Sequence, residues 1–407
     1  MNDACDVAVV GAGPAGLMAA IEAARAGLSV TVVDEFPWPG GRLLGQLYLD
    51  PRSHGRWDGR QISRRLAQEA GELGVRILGG ATVWAIGRDL GLELAGVHVA
   101  TLRPQALLLA TGAAERALPV PGWTKPGVVT VGAAQTFTNV HHVAIGRRVL
   151  VAGIDPLALS VAMEMHHAGI DVVGVVLPPV SPTSGALASP ERAVARLADV
   201  ADLAPNGLLR AAARLAAGKL RPLAVSALRF DLVRVAGVPV GFRTALVAIE
   251  GDGRVESATL RSVAPDGTLV GPERRIEVDA VCLSAGLYPL TDLAEIAGCP
   301  MVEVEELGGL VPLHGPGLET PLEHLFVAGN LTGIEGAKVA MAQGRLAGCS
   351  IARSLGRFSL ASPEDLARAV SDARTSSPFR FQPRIAAGRA AMAGLWQQAI
   401  AKGDQSA

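Results

Sequence analysis

The chain has few cysteines, and no two of them have the spacing of a paired motif. Its 407 residues contain only Cys5, Cys282, Cys299 and Cys349, and no two stand as Cys-x-x-Cys. This spacing argues against a zinc site, a dithiol redox pair or an iron–sulfur cluster built by this chain alone. Isolated thiols are typical of a reducing compartment, and no signal-type segment precedes the first predicted strand. We therefore expect a cytoplasmic protein.

An excess of charge and long apolar runs are also lacking. The net charge is -1, which gives no electrostatic basis for binding nucleic acid or an anionic membrane. The apolar run near Val7 is interrupted by glycines and is too short to span a bilayer. Aromatic residues make up only 4%, whereas there are 48 glycines and 49% hydrophobic residues. This balance favours an α/β protein with tight strand-to-helix turns, and the length predicts two or three domains.

The segment DVAVVGAGPAGLMAA, residues 6–20, has the pattern of a strand, a glycine turn and a helix start. Residues 6–10 are short, apolar and rich in valine, as in a buried parallel strand. Residues 14–27 are predicted to form a helix that Gly27 closes, and residues 29–35 a second strand. The sequence therefore predicts a β-α-β unit.

The turn of this unit carries glycines at the G-x-G-x-x-G spacing. Gly11 permits the tight turn, Gly13 lets the backbone approach a pyrophosphate, and Gly16 lets the helix pack on the strand. Pro14 and Ala15 begin the helix, whose free N–H groups and positive dipole end face the phosphates. The motif has its full context, so we expect it to bind a dinucleotide.

An acidic residue closes the second strand. Asp34 lies 23 positions after Gly11 and is followed by Glu35. A carboxylate there can accept hydrogen bonds from a ribose 2′-hydroxyl, and it would repel a 2′-phosphate. We therefore place Asp34 and Glu35 among the candidate cofactor contacts.

Two distant segments indicate that the dinucleotide is FAD. LLLATGA (107–113) resembles the flavoprotein segment that returns the chain from the FAD domain. HLFVAGNLTGIEGAKVAMAQGRLAG (324–348) resembles the F-V-A-G-D motif, whose acid binds the ribityl chain and whose helix points its N-terminus at the flavin ring. The usual Asp is Asn330 here, which can still hydrogen-bond a hydroxyl, but without the charge.

These segments supply further candidate contacts with FAD. They are Ala110, Thr111, Gly112, Gly329, Asn330 and Ala337. Glu335 and Lys338 stand near the flavin end of the last helix and could tune the charge around the ring. A solvated helix start is the expectation that we favour for both.

The segment PGGRLLGQ (39–46) follows the ribose-site acid. By resemblance it lies along the FAD pyrophosphate and ring, with Gly41 and Arg42 as contacts, although a solvated Arg42 is the alternative. Val83, in GATVWAI, is placed to contact adenine through its backbone, and a plain core valine is nearly as well supported.

A second β-α-β unit, residues 147–176, carries a broken glycine motif. In AGIDPLA (152–158), Gly153 holds the first position, Asp155 replaces the second glycine and Ala158 the third. A carboxylate at this place repels pyrophosphate and blocks close approach of the backbone. No acid ends the following strand, and no arginine cluster replaces it. We expect that this unit binds no nicotinamide cofactor, the alternative being loose binding of NAD through other contacts.

Several segments together resemble the FAD-binding large subunits of multi-subunit amine dehydrogenases. Such subunits include hydrogen cyanide synthase B, opine oxidase A, the proline and hydroxyproline dehydrogenase α subunits, and part of sarcosine oxidase α. The resemblance covers most of residues 6–355 and is carried by residues 34–43, 110–136, 278–299 and 333–348.

The resemblance implies an α/β fold with two Rossmann-like dinucleotide-binding domains, as in pyridine nucleotide-disulfide oxidoreductase-like flavoproteins. A glutathione-reductase-type FAD domain (1–116 and 278–356) would hold an inserted, degenerate NAD(P)-type domain (117–277). Residues 190–220, within this insert, are predicted to be helical. A helical tail, residues 357–407, would follow.

The resemblance also implies a function. In that family a separate subunit of the D-amino-acid-oxidase type oxidises the amine, and electrons pass through flavins and an iron–sulfur protein to an acceptor. Longer members carry a cysteine-rich iron–sulfur domain after the last FAD segment. This chain has only Cys349 after Cys299, so a cluster would come from a small partner protein, or the pathway lacks one.

We therefore expect an FAD-containing oxidoreductase, the electron-transfer subunit of an amine or imino-acid dehydrogenase. Its partner would oxidise proline, hydroxyproline, an opine, sarcosine or a glycine-like substrate. No residue is assigned as a general acid or base. The alternatives are a stand-alone NAD(P)H-dependent flavin oxidoreductase and a non-catalytic scaffold that has lost FAD.

The tail is predicted to form two helices. Ser362 is placed as the N-cap of the first, with Pro363 at the first helical position and Asp365 completing a capping box. Leu395 and Trp396, in the second helix, can pack on this protein's own domain or on another subunit, and the sequence leaves both options open.

Overall fold

The computed structural model describes residues 2–50, 55–196, 233–358, 361–377 and 381–404, with positions 211, 215, 217, 218 and 220–227. The strands are β1 (Asn2–Val10), β2 (Val30–Asp34), β3 (Leu47–Leu49), β4 (Arg56–Asp58), β5 (Arg76–Gly79), β6 (Thr82–Ile86), β7 (Leu92–Ala95), β8 (Thr101–Leu109), β9 (Ala113–Glu115), β10 (Val128–Thr130), β11 (Arg148–Ala152), β12 (Asp171–Leu177), β13 (Val233–Val235), β14 (Val238–Glu250), β15 (Ser257–Val263), β16 (Leu269–Glu277), β17 (Ala280–Leu283), β18 (Leu287–Pro289), β19 (Met301–Val304), β20 (Gly309–Pro312) and β21 (Leu325–Val327). The helices are α1 (Pro14–Arg25), α2 (Gly59–Glu72), α3 (Val131–Gln135), α4 (Pro156–His167), α5 (Pro190–Ala195), α6 (Arg221–Ala227), α7 (Asp292–Ile296), α8 (Ala337–Ser354), α9 (Pro363–Ser376) and α10 (Ile385–Asp404).

The first sheet has the order β5-β2-β1-β8-β7-β6, with β21 beside β8. Strand β1 pairs in parallel with β2 and β8, and β21 pairs in parallel with β8. Its apolar residues, such as Val7 and Val9, are fully buried because helices cover the sheet. The predicted first β-α-β unit is confirmed. The carboxyl ends of β1, β2, β8 and β21 therefore meet at one edge of this sheet.

Helices α1 and α8 pack in parallel through small residues. A Cβ on Gly344 would lie 2.1 Å from the carbonyl oxygen of Ala15, and one on Gly348 would lie 2.5 Å from that of Ala19. Only glycine permits so close an approach of two helix backbones. Because the contacts advance by four residues on both helices, the two N-termini point to the same side of the molecule.

The second sheet has the order β10-β17-β11-β12-β14-β15-β16, and β13 pairs with β14. Strands β10, β17, β11 and β12 are parallel neighbours, and β14 to β16 form an antiparallel meander. The predicted second β-α-β unit is thus confirmed. Because β17 belongs to this sheet, we propose that the inserted part of the chain extends to Leu283. Most of the predicted helical stretch 190–220 lies outside the described residues.

The two crossings between the sheets lie side by side. Strand β9 on the way out pairs in antiparallel fashion with β18 on the way back. At the end of β9, Glu115 accepts hydrogen bonds from the Thr130 hydroxyl at 2.5 Å and the Gly132 N–H at 2.8 Å. This carboxylate fixes the first turn of α3 relative to the first crossing.

The tail forms the two predicted helices. The Ser362 hydroxyl accepts the Asp365 N–H at 3.1 Å, so this N-cap is confirmed. The Asp365 carboxylate pairs with Arg368 instead of closing the capping box. Trp396 is buried against Leu307 and other apolar residues of the same chain, whereas Leu395 packs at the margin of that cluster. No helix among the described residues has the length and apolarity needed to cross a bilayer.

Candidate functional site

The first glycine turn lies at the carboxyl edge of the first sheet. Gly11 has a φ of 106°, and a Cβ there would lie 2.4 Å from the Ala110 carbonyl oxygen. A Cβ on Gly16 would lie 1.9 Å from the Gly11 carbonyl oxygen, so this position joins helix to strand. A Cβ on Gly13 would meet no atom within 4 Å. Gly11 and Gly16 are thus needed for packing, whereas the space beside Gly13 is open.

Asp34 holds the glycine turn from the neighbouring strand. Its carboxylate accepts the Ala12 N–H at 2.6 Å and the Phe36 N–H at 2.7 Å. Burial raises the pKa of Asp34, although these two N–H bonds oppose that rise. A carboxylate offers about four acceptor positions, so two remain for ribose hydroxyls. Glu35 beside it is exposed, and the contact of either residue with ribose stays a prediction.

The PGG segment lies against the glycine turn. The Gly40 N–H donates to the Ala12 carbonyl at 2.7 Å, and a Cβ on Gly41 would lie 3.3 Å from the Gly13 Cα. This brings Gly41 to the candidate site. The Arg42 side chain is exposed, and its contact with the pyrophosphate or the ring stays a prediction. Val83 is half-buried in β6 and packs on the core cluster, so its adenine contact stays a prediction.

The A-T-G segment follows β8 at the same edge. The Ala110 N–H donates to the Val10 carbonyl at 2.8 Å, which brings the segment beside the glycine turn. The Thr111 hydroxyl donates to the Leu290 carbonyl at 2.7 Å and so fixes the returning chain. Gly112 has a φ of 81°, and a Cβ there would meet no atom within 4 Å.

The last motif follows β21 at this edge. The Gly329 N–H donates to the Gln343 side-chain oxygen at 2.8 Å. The Asn330 side-chain oxygen accepts the N–H groups of Glu335 and Gly336 at 3.2 and 3.3 Å. The NH₂ of the same amide is a hydrogen-bond donor, and its contact with a ribityl hydroxyl stays a prediction. Ala337 begins α8, and its contact with FAD stays a prediction.

The two dinucleotide-type helices differ at their N-termini. No side chain in the described part of the chain caps α1, so its first-turn N–H groups face the open space beside Gly13. Helix α4 is capped by Asp155, whose carboxylate accepts the Leu157 and Ala158 N–H groups at 2.9 and 3.0 Å. The α1 site therefore suits a pyrophosphate, and FAD fits there.

Two predictions about the last helix are wrong. Glu335 is not solvated, because its side chain is only 5% exposed and forms ion pairs with Arg374 and Arg389. Lys338 pairs with the buried Asp50 and is not a free surface lysine. All three partners, Arg374, Arg389 and Asp50, come from distant segments, so no local pattern indicated these pairs. Gln343 was also missed, although a glutamine that follows Met341 and Ala342 and precedes Gly344 could have signalled a buried hydrogen bond.

The fold and this edge define an α/β protein with two Rossmann-like dinucleotide-binding domains. The chain belongs to the pyridine nucleotide-disulphide oxidoreductase family, whose model matches residues 5–344. This is a family of FAD-dependent oxidoreductases, and FAD is the cofactor. The predicted fold class and cofactor are confirmed.

The relatives agree with the resemblance found in the sequence. The opine oxidase A subunit from Agrobacterium tumefaciens (strain Ach5) is 32% identical, over 85% of this chain and 65% of its own length. The HcnB subunit of hydrogen cyanide synthase from Pseudomonas aeruginosa is 29% identical, over 97% of this chain and 80% of its own length. This chain thus spans just under two thirds of its opine oxidase relative.

A solved structure supports the fold. The L-proline dehydrogenase of P. horikoshii superposes with a TM-score of 0.63 at 19% identity. The match covers 91% of this chain and 59% of that chain. At this identity the likeness extends to the fold alone.

Proposed function

We propose that this chain is the FAD-containing electron-transfer subunit of a multi-subunit amine or imino-acid dehydrogenase. The observation that carries the proposal is the difference between its two dinucleotide sites. One helix N-terminus is open to a phosphate, and the other is filled by the protein's own carboxylate. A flavoprotein of this kind needs an electron donor other than a nicotinamide cofactor.

Asp155 is built into the second site. Beyond its two backbone N–H partners, its carboxylate accepts the Ser284 hydroxyl at 2.5 Å, and the residue is 5% exposed. Gly153 keeps a φ of 127° and would place a Cβ 2.3 Å from the Ser284 carbonyl oxygen. The turn has therefore kept its shape, while a carboxylate supplies the negative charge that a bound phosphate would supply.

The cysteines give no route for electrons through a dithiol. All four are free thiols, and three of them are buried. Burial raises the pKa of Cys5 and Cys282 and raises that of Cys299 to about 11, so these groups stay protonated near neutral pH. We therefore assign electron transfer to the flavin, with the amine oxidised on a partner protein of the D-amino-acid-oxidase type.

The roles of this chain's residues are to bind and orient the cofactor. When bound, FAD supplies the chemistry of accepting and releasing electrons. Gly13 and the α1 N-terminus would hold the pyrophosphate, Asp34 the ribose, and the Asn330 amide a ribityl hydroxyl. The relatives' names describe subunits of an opine oxidase and a hydrogen cyanide synthase, which supports assembly with a partner. A small iron–sulfur protein is a further proposed partner.

The test is anaerobic reduction of the purified protein under argon. We expect a yellow protein with the flavin absorbance band at about 450 nm. NADH and NADPH should leave this band unchanged for minutes, and the amine substrate should bleach it only after the native partner is added. Bleaching by NADH within seconds would identify a stand-alone flavin reductase. A colourless protein that binds no added FAD would identify a scaffold, and amine oxidation by the chain alone would refute the subunit role.

A further inference from the structure

The connection between β21 and α8 ends in residues 330–336, which form a closed loop at the candidate FAD site. The Asn330 side chain bonds to the last two N–H groups of this loop, as described above. The Thr332 hydroxyl donates to the Gly329 carbonyl at 2.9 Å. Gly336, which has a φ of 109°, turns the chain into α8. The geometry of this loop sets where the N-terminus of α8 points.

The tail reaches this loop through Arg389 of α10. Its guanidinium donates to the Thr332 carbonyl at 2.9 Å and to the Thr332 hydroxyl at 3.2 Å. It also pairs with the carboxylate of Glu335, and its side chain is 13% exposed. One side chain of the tail therefore contacts the middle and the end of the loop.

Arg374 of α9 holds the other carboxylate oxygen of Glu335 at 2.5 Å. Burial alone would raise the pKa of Glu335, but Arg389 and Arg374 outweigh it and hold this pKa below its usual range. The Glu335 carboxylate is thus charged and enclosed by two cations. A buried carboxylate that loses one partner is strongly destabilised, so each arginine is needed to keep the loop in place.

We propose that Arg389 and Arg374 are positioning residues for FAD. They belong to the helical tail, outside both sheets, and act through Glu335 on the loop that aims the α8 N-terminus. The inference rests on FAD occupying the first dinucleotide site and does not depend on the identity of the electron donor. It assigns the tail a role in cofactor binding that packing alone would not give it.

The experiment measures the affinity of flavin-free protein for FAD by quenching of flavin fluorescence. Arg389→Gln should raise Kd by at least about 10-fold, because the Glu335 charge loses its most buried partner. Arg389→Lys, which keeps the charge, should restore most of the affinity. Arg368→Gln is the matched control, since Arg368 is 75% exposed and its ion pair with Asp365 lies within α9. The control should bind FAD as the wild type does.

The flavin spectrum and midpoint potential give a second readout. Both should change in Arg389→Gln saturated with FAD and stay unchanged in Arg368→Gln, because Arg389 contacts the loop that leads into α8, whereas Arg368 pairs with Asp365 within α9. If Arg389→Gln does not fold, Arg374→Gln replaces it, since Arg374 is 29% exposed and truncation there is milder. Unchanged Kd, spectrum and potential in the variant that folds would overturn the inference. Failure of the wild type to bind FAD would instead refute the cofactor assignment.

Discussion

Replacement of Gly13 by alanine should separate cofactor binding from folding. Gly13 has φ -72° and ψ -177°, which any residue adopts, and a Cβ there meets no protein atom within 4 Å. The flavin-free protein should therefore tolerate the methyl group. If the pyrophosphate lies beside this position, the same methyl group occupies its space.

The magnitudes follow from these two environments. In the flavin-free protein, alanine is a poorer N-cap than glycine, while it lowers the entropy of the unfolded chain. These effects oppose each other, so the free energy of unfolding should change by less than about 1 kcal/mol. In the complex, overpacking of a tight contact costs about 1–3 kcal/mol, so the Kd for FAD should rise roughly 5- to 150-fold.

Two further glycine variants calibrate the assay. Gly71→Ala is the matched control, because Gly71 lies in α2 and a Cβ there also meets nothing within 4 Å. Its FAD affinity should equal that of the wild type, with stability higher by about 0.5–1 kcal/mol. Gly16→Ala should destabilise the fold itself, since its Cβ would lie 1.9 Å from the Gly11 carbonyl oxygen. Urea unfolding without FAD and fluorescence titration with FAD measure the two effects separately.

Either of two outcomes would contradict the prediction for Gly13→Ala. Wild-type FAD affinity in Gly13→Ala would mean that the pyrophosphate does not approach this turn. A large loss of stability in flavin-free Gly13→Ala, comparable with that of Gly16→Ala, would mean that the space beside Gly13 is not open.

Substitutions at three other positions have definite expected outcomes. Asp155→Ala should lower the free energy of unfolding by about 1–2 kcal/mol through loss of the α4 cap, and Asp155→Asn by less. If urea unfolding gave both variants the free energy of unfolding of the wild type, the capping role would be contradicted. Glu164 is enclosed by Gln135, Asn139 and Ser160 donors, yet burial raises its pKa from 4.5 to about 7. Because the folded state holds this proton more tightly, stability should fall as the pH rises from about 4.5 to about 7, by at most about 3 kcal/mol. Glu164→Gln should remove this dependence of stability on pH. A pH profile of urea unfolding that is the same in Glu164→Gln and the wild type would contradict the assignment to Glu164. Ser362→Ala should cost about 1 kcal/mol by removing the α9 cap, and an unchanged melting temperature would count against it.

The fold could be predicted because its signals are local. The glycine turn, the valine-rich strand and Asp34 all fall within the first β-α-β unit, and each restricts the backbone by its own chemistry. The same applies to the Ser362 cap. That the second unit binds no nicotinamide cofactor stays a prediction, but the place of Asp155 in its glycine motif was readable from the sequence. Its further hydrogen bond with Ser284 was not, because that partner arrives with β17.

The roles of charged side chains were harder to predict. Glu335 follows a glycine-rich motif and resembles a solvated helix start, but its partners lie on α9 and α10. Lys338 likewise finds its acid at Asp50, near the other end of the chain. Pairing of this kind depends on how distant segments of the chain pack together, and neither periodicity nor spacing contains that information.

The contact of α1 with α8 has a consequence for biosynthesis. Ala15 is translated 329 residues before Gly344 (344 − 15 = 329). The strand and helix of the glycine turn therefore keep one apolar face exposed until their partners are translated. A nascent chain released early would expose that face without a complete nucleotide pocket, so flavin loading is expected to be a late, post-translational event.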